Sequence, residues 1–245
     1  MAGPETTAAP TGVRPGEGDF VAQQPVNEQQ FETFPELHET PEEIAFELRA
    51  QEGALWTGSR LLIGIWAFAF AALAFAYFYL RSANNENLWR PGGITAPTAA
   101  GAAIFAVTVA SALIVVYGER QFRNDETLNW QVAGWTAVLG GLVVIGLQIW
   151  QLTDLPFFPA SSGYASCFVA WGAMNIAMVL CGTYWIETIL ARELRLRRAM
   201  AQDGGAPNST LPVARLFRVN LNGCTYFWGF IALVATFFWV LFYVI

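Results

Sequence analysis

Five long apolar stretches constrain this chain more than any other feature of its sequence. They run approximately from Leu61 to Leu80, Ala96 to Tyr117, Val132 to Leu152, Tyr164 to Leu190 and Cys224 to Ile245. Each is about as long as the roughly 20 residues that an α-helix needs to cross a bilayer. Because backbone amides inside hydrocarbon must be satisfied within their own segment, these stretches predict helices rather than strands. The sequence therefore predicts an all-α fold, a polytopic membrane helical bundle with five transmembrane helices.

The composition limits the chemistry that such a bundle can carry out. Only 13% of the residues are charged and 55% are hydrophobic, whereas about a quarter of a soluble domain is charged. The single histidine, His38, precedes the first span, and Cys167, Cys181 and Cys224 stand singly. Haem and metal sites in a membrane normally need imidazole, thiolate or thioether ligands at matched positions. We therefore expect no catalytic, cofactor-binding or metal-binding residue in this chain, and no nucleic-acid partner.

The distribution of arginine predicts the orientation of the chain in the membrane. All 13 basic residues are arginine, and 11 of them lie before the first span or in the loops after the second and fourth spans. Only Arg81 and Arg90 lie in the loop after the first span, and none follows the third. By the positive-inside rule, the N-terminus is expected in the cytoplasm and the C-terminus on the exterior.

The N-terminal part of the chain has a different character from the spans. Residues 1–56 predict a cytoplasmic tail, and residues 57–245 the five-helix transmembrane domain. The first 27 residues are rich in Pro, Gly, Ala and Thr and have no apolar period, which is typical of a mobile segment. Thr40, Pro41 and Glu43 fit a helix start with a capping box. We therefore expect a short surface helix from about Thr40 to Gly53, leading into the first span.

A few polar residues near the cytoplasmic ends of the spans are candidates for binding lipid or a partner. Glu187 is the one acid well inside an apolar run, where a structural pairing with Arg192 or a neighbouring arginine is favoured over a functional role. Arg192, Arg215 and Arg218 belong to a group of six arginines beside Trp185. Such arginines are mostly topology signals, but they also attract anionic lipid headgroups.

The remaining polar residues of the spans predict contacts between helices. Gln148, Asn175, Ser111 and Thr108 are expected to form interhelical hydrogen bonds. Close approach of helices is expected at two groups of small residues. They are Gly140, Gly141 and Gly146 in the third span, and Gly101, Ala102 and Ala103 in the second. The spans contain no string of acids and histidines that would support a standalone pump.

Short motifs at the ends of the spans carry a family resemblance. They are Phe75 to Arg81 followed by Trp89 and Pro91, then Gln148 to Gln151, then Tyr164 with Ser166 and Phe168, and finally Trp228 with Phe230 and Tyr243. The first group resembles the aromatic exit and Trp-x-Pro loop of one family, and the second resembles its Gln-Ile-Tyr-Glu motif. The third resembles its Tyr-x-Ser-x-Phe motif, and the fourth its terminal aromatic pattern. The order and spacing of the four groups are also similar to those of the family. That family is subunit III of the haem-copper cytochrome c oxidases, in its five-helix bacterial form. The resemblance covers about residues 60–245.

The chain also departs from the pattern of that family. Two histidines typical of the family fall on Asn175 and Met178, and its Trp-His-Phe followed by an aspartate becomes Trp228, Gly229, Phe230 and Ala232. No residue between Arg60 and Arg81 is charged, although the family usually has an acid there. The roles of those family residues are therefore not carried over, and the resemblance is to a divergent member.

The resemblance implies a non-catalytic subunit of an enzyme complex in a bacterial cell membrane. Such a subunit supports the structure, holds phospholipid and sustains turnover in aerobic respiration. Its partners would be subunit I, which carries haem and copper, and subunit II, which receives electrons from cytochrome c. Two alternatives remain: an accessory subunit of a nitric oxide reductase, and a standalone small transporter or assembly factor. A transporter should show broken helices or paired polar groups at mid-membrane.

Overall fold

The computed structural model describes residues 41–84, 88–203 and 212–245. Within these ranges the chain forms five long helices and no strand. The helices are α1 (Pro41–Ser82), α2 (Thr98–Arg123), α3 (Thr127–Thr153), α4 (Gly163–Asp203) and α5 (Pro212–Tyr243). Each contains a segment long and apolar enough to cross a membrane. The predicted all-α, five-span membrane bundle is confirmed.

Helix α1 is longer than a membrane crossing requires. Its 42 residues extend over about 63 Å at 1.5 Å per residue, roughly twice the thickness of the hydrocarbon core. Pro41 is its first residue, where the missing amide hydrogen costs nothing, and Glu42 and Glu43 place negative charge in the first turn. The surface helix expected before the first span is thus continuous with that span. Residues 1–40 of the predicted tail, which include His38 and Thr40, lie outside the described residues.

Helices α2 to α5 form a ring in which each helix packs against two others. α2 lies between α3 and α5, and α4 closes the ring by packing against the same two helices. A tight turn joins α2 to α3, with Asp125 in the left-handed region at φ 63°. A short 3-10 turn, Pro159–Ser161, lies between α3 and α4.

Helix α1 packs on the outside of this ring. Its Phe70 lies 5.7 Å from Trp171 of α4 and 5.6 Å from Phe238 of α5, measured between ring centroids. Toward its other end, Ser59 packs against Gly223 of α5. Only 11% of the apolar part of α1 is buried, compared with half in α4 and α5. Most of the apolar surface of α1 therefore faces outward.

Small residues allow the ring helices to approach closely. A Cβ atom at Gly140 would collide with the hydroxyl of Ser111, and one at Gly141 would collide with the hydroxyl of Thr183. These two contacts join α3 to α2 and to α4, as expected from the sequence. Gly101 likewise lies under the ring of Tyr243. Gly146 faces open space, and Ala102 and Ala103 are exposed, so the expectation is wrong for these three residues.

Candidate functional site

Aromatic rings from separate segments of the chain meet at one end of the bundle, which we call the aromatic end. The cluster contains Tyr77 of α1, Trp89 of the following loop, Tyr164 of α4 and Phe242 of α5. Trp89 stands edge-on to Tyr77 at 4.9 Å and to Tyr164 at 6.0 Å between centroids. The hydroxyl of Tyr77 donates a hydrogen bond to the carbonyl of Leu241 at 2.8 Å. Because edge-to-face pairs are each worth about 0.5–1.5 kcal/mol, this cluster holds four segments together.

Arg90 fastens the loop between α1 and α2 to the same cluster. Its guanidinium lies over the ring of Tyr164, 4.1 Å from the centroid. Its Nη2 donates to the carbonyl of Phe242 at 3.3 Å. The hydroxyl of Tyr164 in turn accepts a hydrogen bond from the amide of Ala96 at 3.2 Å. Cation–π contact and hydrogen bonding together fix where the loop lies.

A chain of buried amide side chains runs from the aromatic end into the bundle. Gln151 of α3 donates to the hydroxyl of Tyr243 at 2.8 Å and accepts from Gln148 at 2.9 Å. Gln148 accepts from Asn175 of α4 at 3.0 Å. Amide side chains neither gain nor lose protons near neutral pH. These three hydrogen-bonded amides therefore link helices and do not relay protons. The interhelical bond expected for Gln148 and Asn175 is confirmed.

The two other polar residues expected to bond between helices behave differently. The hydroxyl of Thr108 donates to the carbonyl of Ile104 in its own helix at 2.7 Å, so its predicted interhelical bond is wrong. Ser111 is buried and packs against Gly140 of α3, which makes it a packing contact between helices. Hydroxyl groups in an apolar helix are often satisfied by a carbonyl one turn earlier.

The opposite end of the bundle, which we call the arginine-rich end, carries the site residues predicted from the sequence. Trp185 is half-buried and its Nε1 donates to Asn220 of α5 at 2.9 Å. Glu187 is exposed and forms no hydrogen bond or ion pair with the described residues, so its expected pairing with Arg192 is absent there. Arg192 is also exposed. The structure therefore does not bring Glu187 and Arg192 together with Trp185 into one site.

Arg215 and Arg218 lie on the first turns of α5. Arg215 forms an ion pair with Glu52 of α1, with 2.5 Å between Nε and Oε1. Its side chain remains 62% exposed, and pairs in such positions contribute little to stability. Arg218 is half-buried. Of the two, Arg215 already has a carboxylate partner, so its attraction for an anionic headgroup is partly offset.

The structure also contains a buried acid that the sequence reasoning missed. Glu193 of α4 is 1% exposed and accepts hydrogen bonds from Nε1 of Trp130 at 2.7 Å and from Nε of Arg197 at 3.0 Å. A buried carboxylate needs such donors, because an unpaired one is costly in an apolar surrounding. Glu193 and Arg197 are one helical turn apart, and this spacing was enough to predict that they pair. Trp130 lies 63 positions earlier and gave no such signal.

A second pairing of this kind joins α2 to α5. Glu119 is 9% exposed and pairs with Arg123 at 2.5 Å. The same Arg123 Nη2 donates to Asn222 of α5 at 2.8 Å. With the Glu193 network, these contacts fasten the loops and helix ends of the arginine-rich end.

The described residues contain no group of three His, Cys, Asp or Glu side chains that could hold a metal ion. The three cysteines are free. No protein-family model matches the sequence, and no curated protein matches it either.

Proposed function

We propose that this chain is a non-catalytic, lipid-holding subunit of a respiratory haem-copper cytochrome c oxidase, similar to subunit III. The observation that supports this proposal is the position of the residues that carry the resemblance. Tyr77 and Trp89 belong to the first motif, Tyr164 to the third and Tyr243 to the last, and all four residues lie at the aromatic end.

Direct contacts within that end strengthen the argument. Aromatic residues at span ends are common in membrane proteins, so isolated matches carry little weight. Here Trp89 touches both Tyr77 and Tyr164, and Gln151 donates to Tyr243. Residues that a shared fold would have to keep together are thus packed on one another. Trp228 is the exception, since it lies deeper and donates to the carbonyl of Gly182 at 3.3 Å.

The departures from the family pattern are compatible with a divergent, non-catalytic subunit. Asn175 and Met178 stand where the family has histidines, and both are fully buried. Asn175 is held by Gln148, and Met178 belongs to the apolar core. Met178 therefore has a packing role, whereas Asn175 donates one interhelical hydrogen bond and its buried Oδ1 has no partner among the described residues.

Helix α1 supplies the surface for lipid and partners in this proposal. Leu61, Ile65, Phe68 and Phe75 project outward, with exposures between 63% and 78%. Such a surface suits acyl chains or another transmembrane subunit, since charged residues are lacking. Subunit I would carry the haem and copper, and subunit II would accept electrons from cytochrome c. The proposed location is a bacterial cell membrane, with the arginine-rich end in the cytoplasm.

Co-purification tests the proposal. The full chain, tagged at its N-terminus, is extracted in a mild detergent, and the absorption spectrum of the reduced eluate is recorded with that of an unrelated tagged membrane protein as the control. We expect haem bands in near-stoichiometric amount, together with subunits I and II. A haem-free eluate would contradict the proposal. Haem accompanied by a nitric-oxide-reducing, copper-free partner would favour the nitric oxide reductase alternative.

A further inference from the structure

A groove between α2 and α3 opens on the outer surface near the arginine-rich end. Its volume is about 260 Å³, and it is lined by Ile114, Tyr117, Asn129, Val132, Ala133 and Thr136. A Cβ atom at Gly118 would lie 3.0 Å from the Cβ of Ala133. The two backbones therefore approach closely behind the groove, and the larger side chains on either side form its walls.

The groove lies where both helices change from apolar to polar sequence. The apolar run of α2 ends near Tyr117 and that of α3 begins near Val132, so Asn129 lies at the level of lipid headgroups. From Asn129 to Thr136 the groove extends over about 10 Å. The lining ends at Ile114 and Thr136, and one turn further along the two helices are in direct contact, where Ser111 packs against Gly140.

This length favours a lipid over a partner helix. A transmembrane helix would contact the surface along much of the roughly 30 Å hydrocarbon core. A closed groove of about one third of that length instead fits the glycerol region and the first part of an acyl chain. Val132, which forms part of the groove wall, is exposed to the surrounding lipid. An acyl chain can therefore enter the groove from the side.

A residue of each charge follows or precedes the groove lining by one helical turn, Arg120 after Tyr117 and Glu126 before Asn129. Arg120, one turn beyond Tyr117 on α2, is exposed and forms no ion pair or side-chain hydrogen bond with the described residues. Glu126 is exposed, and its carboxylate accepts a hydrogen bond from Asn129, which lines the groove. A guanidinium suits a phosphate, and a carboxylate suits a primary ammonium group. A headgroup that contains both ions matches this pair.

We propose that the groove binds one zwitterionic glycerophospholipid with a primary ammonium headgroup, its phosphate at Arg120 and its ammonium at Glu126. Phosphatidylethanolamine has this chemistry. The inference rests on the lipid-holding part of the proposed function and adds a site and a lipid class to it. It does not depend on the oxidase partners.

Filling the groove tests the site. The full chain is purified in mild detergent, supplied with phosphatidylethanolamine and examined by native mass spectrometry. Val132→Trp fills the groove, whereas Leu139→Trp places the same ring on an exposed part of α3 outside it. Because the substituted ring takes the place of the acyl chain, we expect Val132→Trp to bind the lipid about tenfold more weakly than Leu139→Trp. Equal binding by the two variants overturns the site.

Changing the charges tests the headgroup without altering the groove. Arg120→Gln is expected to weaken the binding of phosphatidylethanolamine and of phosphatidylglycerol about fivefold each. Arg49→Gln, at an exposed control position on the part of α1 that precedes its apolar run, is expected to weaken neither. Glu126→Gln is expected to weaken phosphatidylethanolamine alone, since phosphatidylglycerol has no ammonium. No effect of Glu126→Gln on phosphatidylethanolamine, or an equal effect on both lipids, overturns the headgroup assignment. No haem protein enters this assay, so its failure and the failure of the oxidase proposal are distinguishable.

Discussion

Replacing Phe70 by alanine should loosen α1 from the rest of the bundle. Phe70 is 4% exposed, and its ring packs against both Trp171 of α4 and Phe238 of α5, with 5.7 and 5.6 Å between centroids. A third ring, Trp66 at 5.8 Å, belongs to α1 itself. Only the first two contacts join α1 to other helices, so only they count toward its attachment.

The expected loss follows from these two contacts. In a membrane, moving a side chain from the interface between helices into lipid changes little apolar burial, so the packing terms dominate. Two aromatic pairs at about 0.5–1.5 kcal/mol each predict a loss of about 1–3 kcal/mol in the free energy of unfolding. The cavity left by the missing ring acts in the same direction.

Phe68→Ala is the matched control, because Phe68 is 78% exposed on the same helix. Unfolding in mixed micelles with increasing dodecyl sulfate, followed by tryptophan fluorescence, measures both variants. We expect the loss for Phe68→Ala to be below about 0.5 kcal/mol, as for most surface changes. Equal losses for the two variants would refute the packing of α1 described above.

Three further outcomes are expected. Replacing Arg215 and Arg218 together by glutamine should loosen bound anionic phospholipid and shorten the number of turnovers before the oxidase inactivates, while its initial rate and haem spectrum stay nearly unchanged; native mass spectrometry and a long oxygen-consumption trace measure these effects. Trp130→Phe removes one donor to the buried Glu193 and should lower the free energy of unfolding by about 1–3 kcal/mol in the same dodecyl sulfate titration. Alkaline phosphatase fused to the C-terminus should be active and fused to the N-terminus inactive, and the reverse result would overturn the orientation.

The spans were predictable because length and hydropathy alone determine which segments can cross a bilayer. The bond between Gln148 and Asn175 could also be expected, since two amides within apolar helices need partners. The same argument did not work for Thr108, whose hydroxyl reaches a carbonyl of its own helix. A short polar side chain has that local choice, and sequence alone does not reveal which option it takes.

The polar contacts of the arginine-rich end were less predictable. Glu187 stands in an apolar run and drew attention, yet it is exposed. Glu193 lies among arginines, where a charged surface is the usual interpretation, yet it is buried against Trp130. Its burial depends on how α3 and α4 are aligned, which is a tertiary property. Likewise, the pair of Arg215 with Glu52 depends on α1 continuing as one helix beyond the membrane.

Removal of this chain from the complex tests the central claim, that it is a non-catalytic subunit sustaining an oxidase. The oxidase is prepared from cells with and without the chain, and oxygen consumption is followed to inactivation alongside the haem spectrum. We predict an unchanged haem spectrum and a nearly unchanged initial rate per haem, with fewer turnovers before activity is lost when the chain is absent. An immediate loss of oxygen reduction, or of haem, on removal of the chain would contradict the claim.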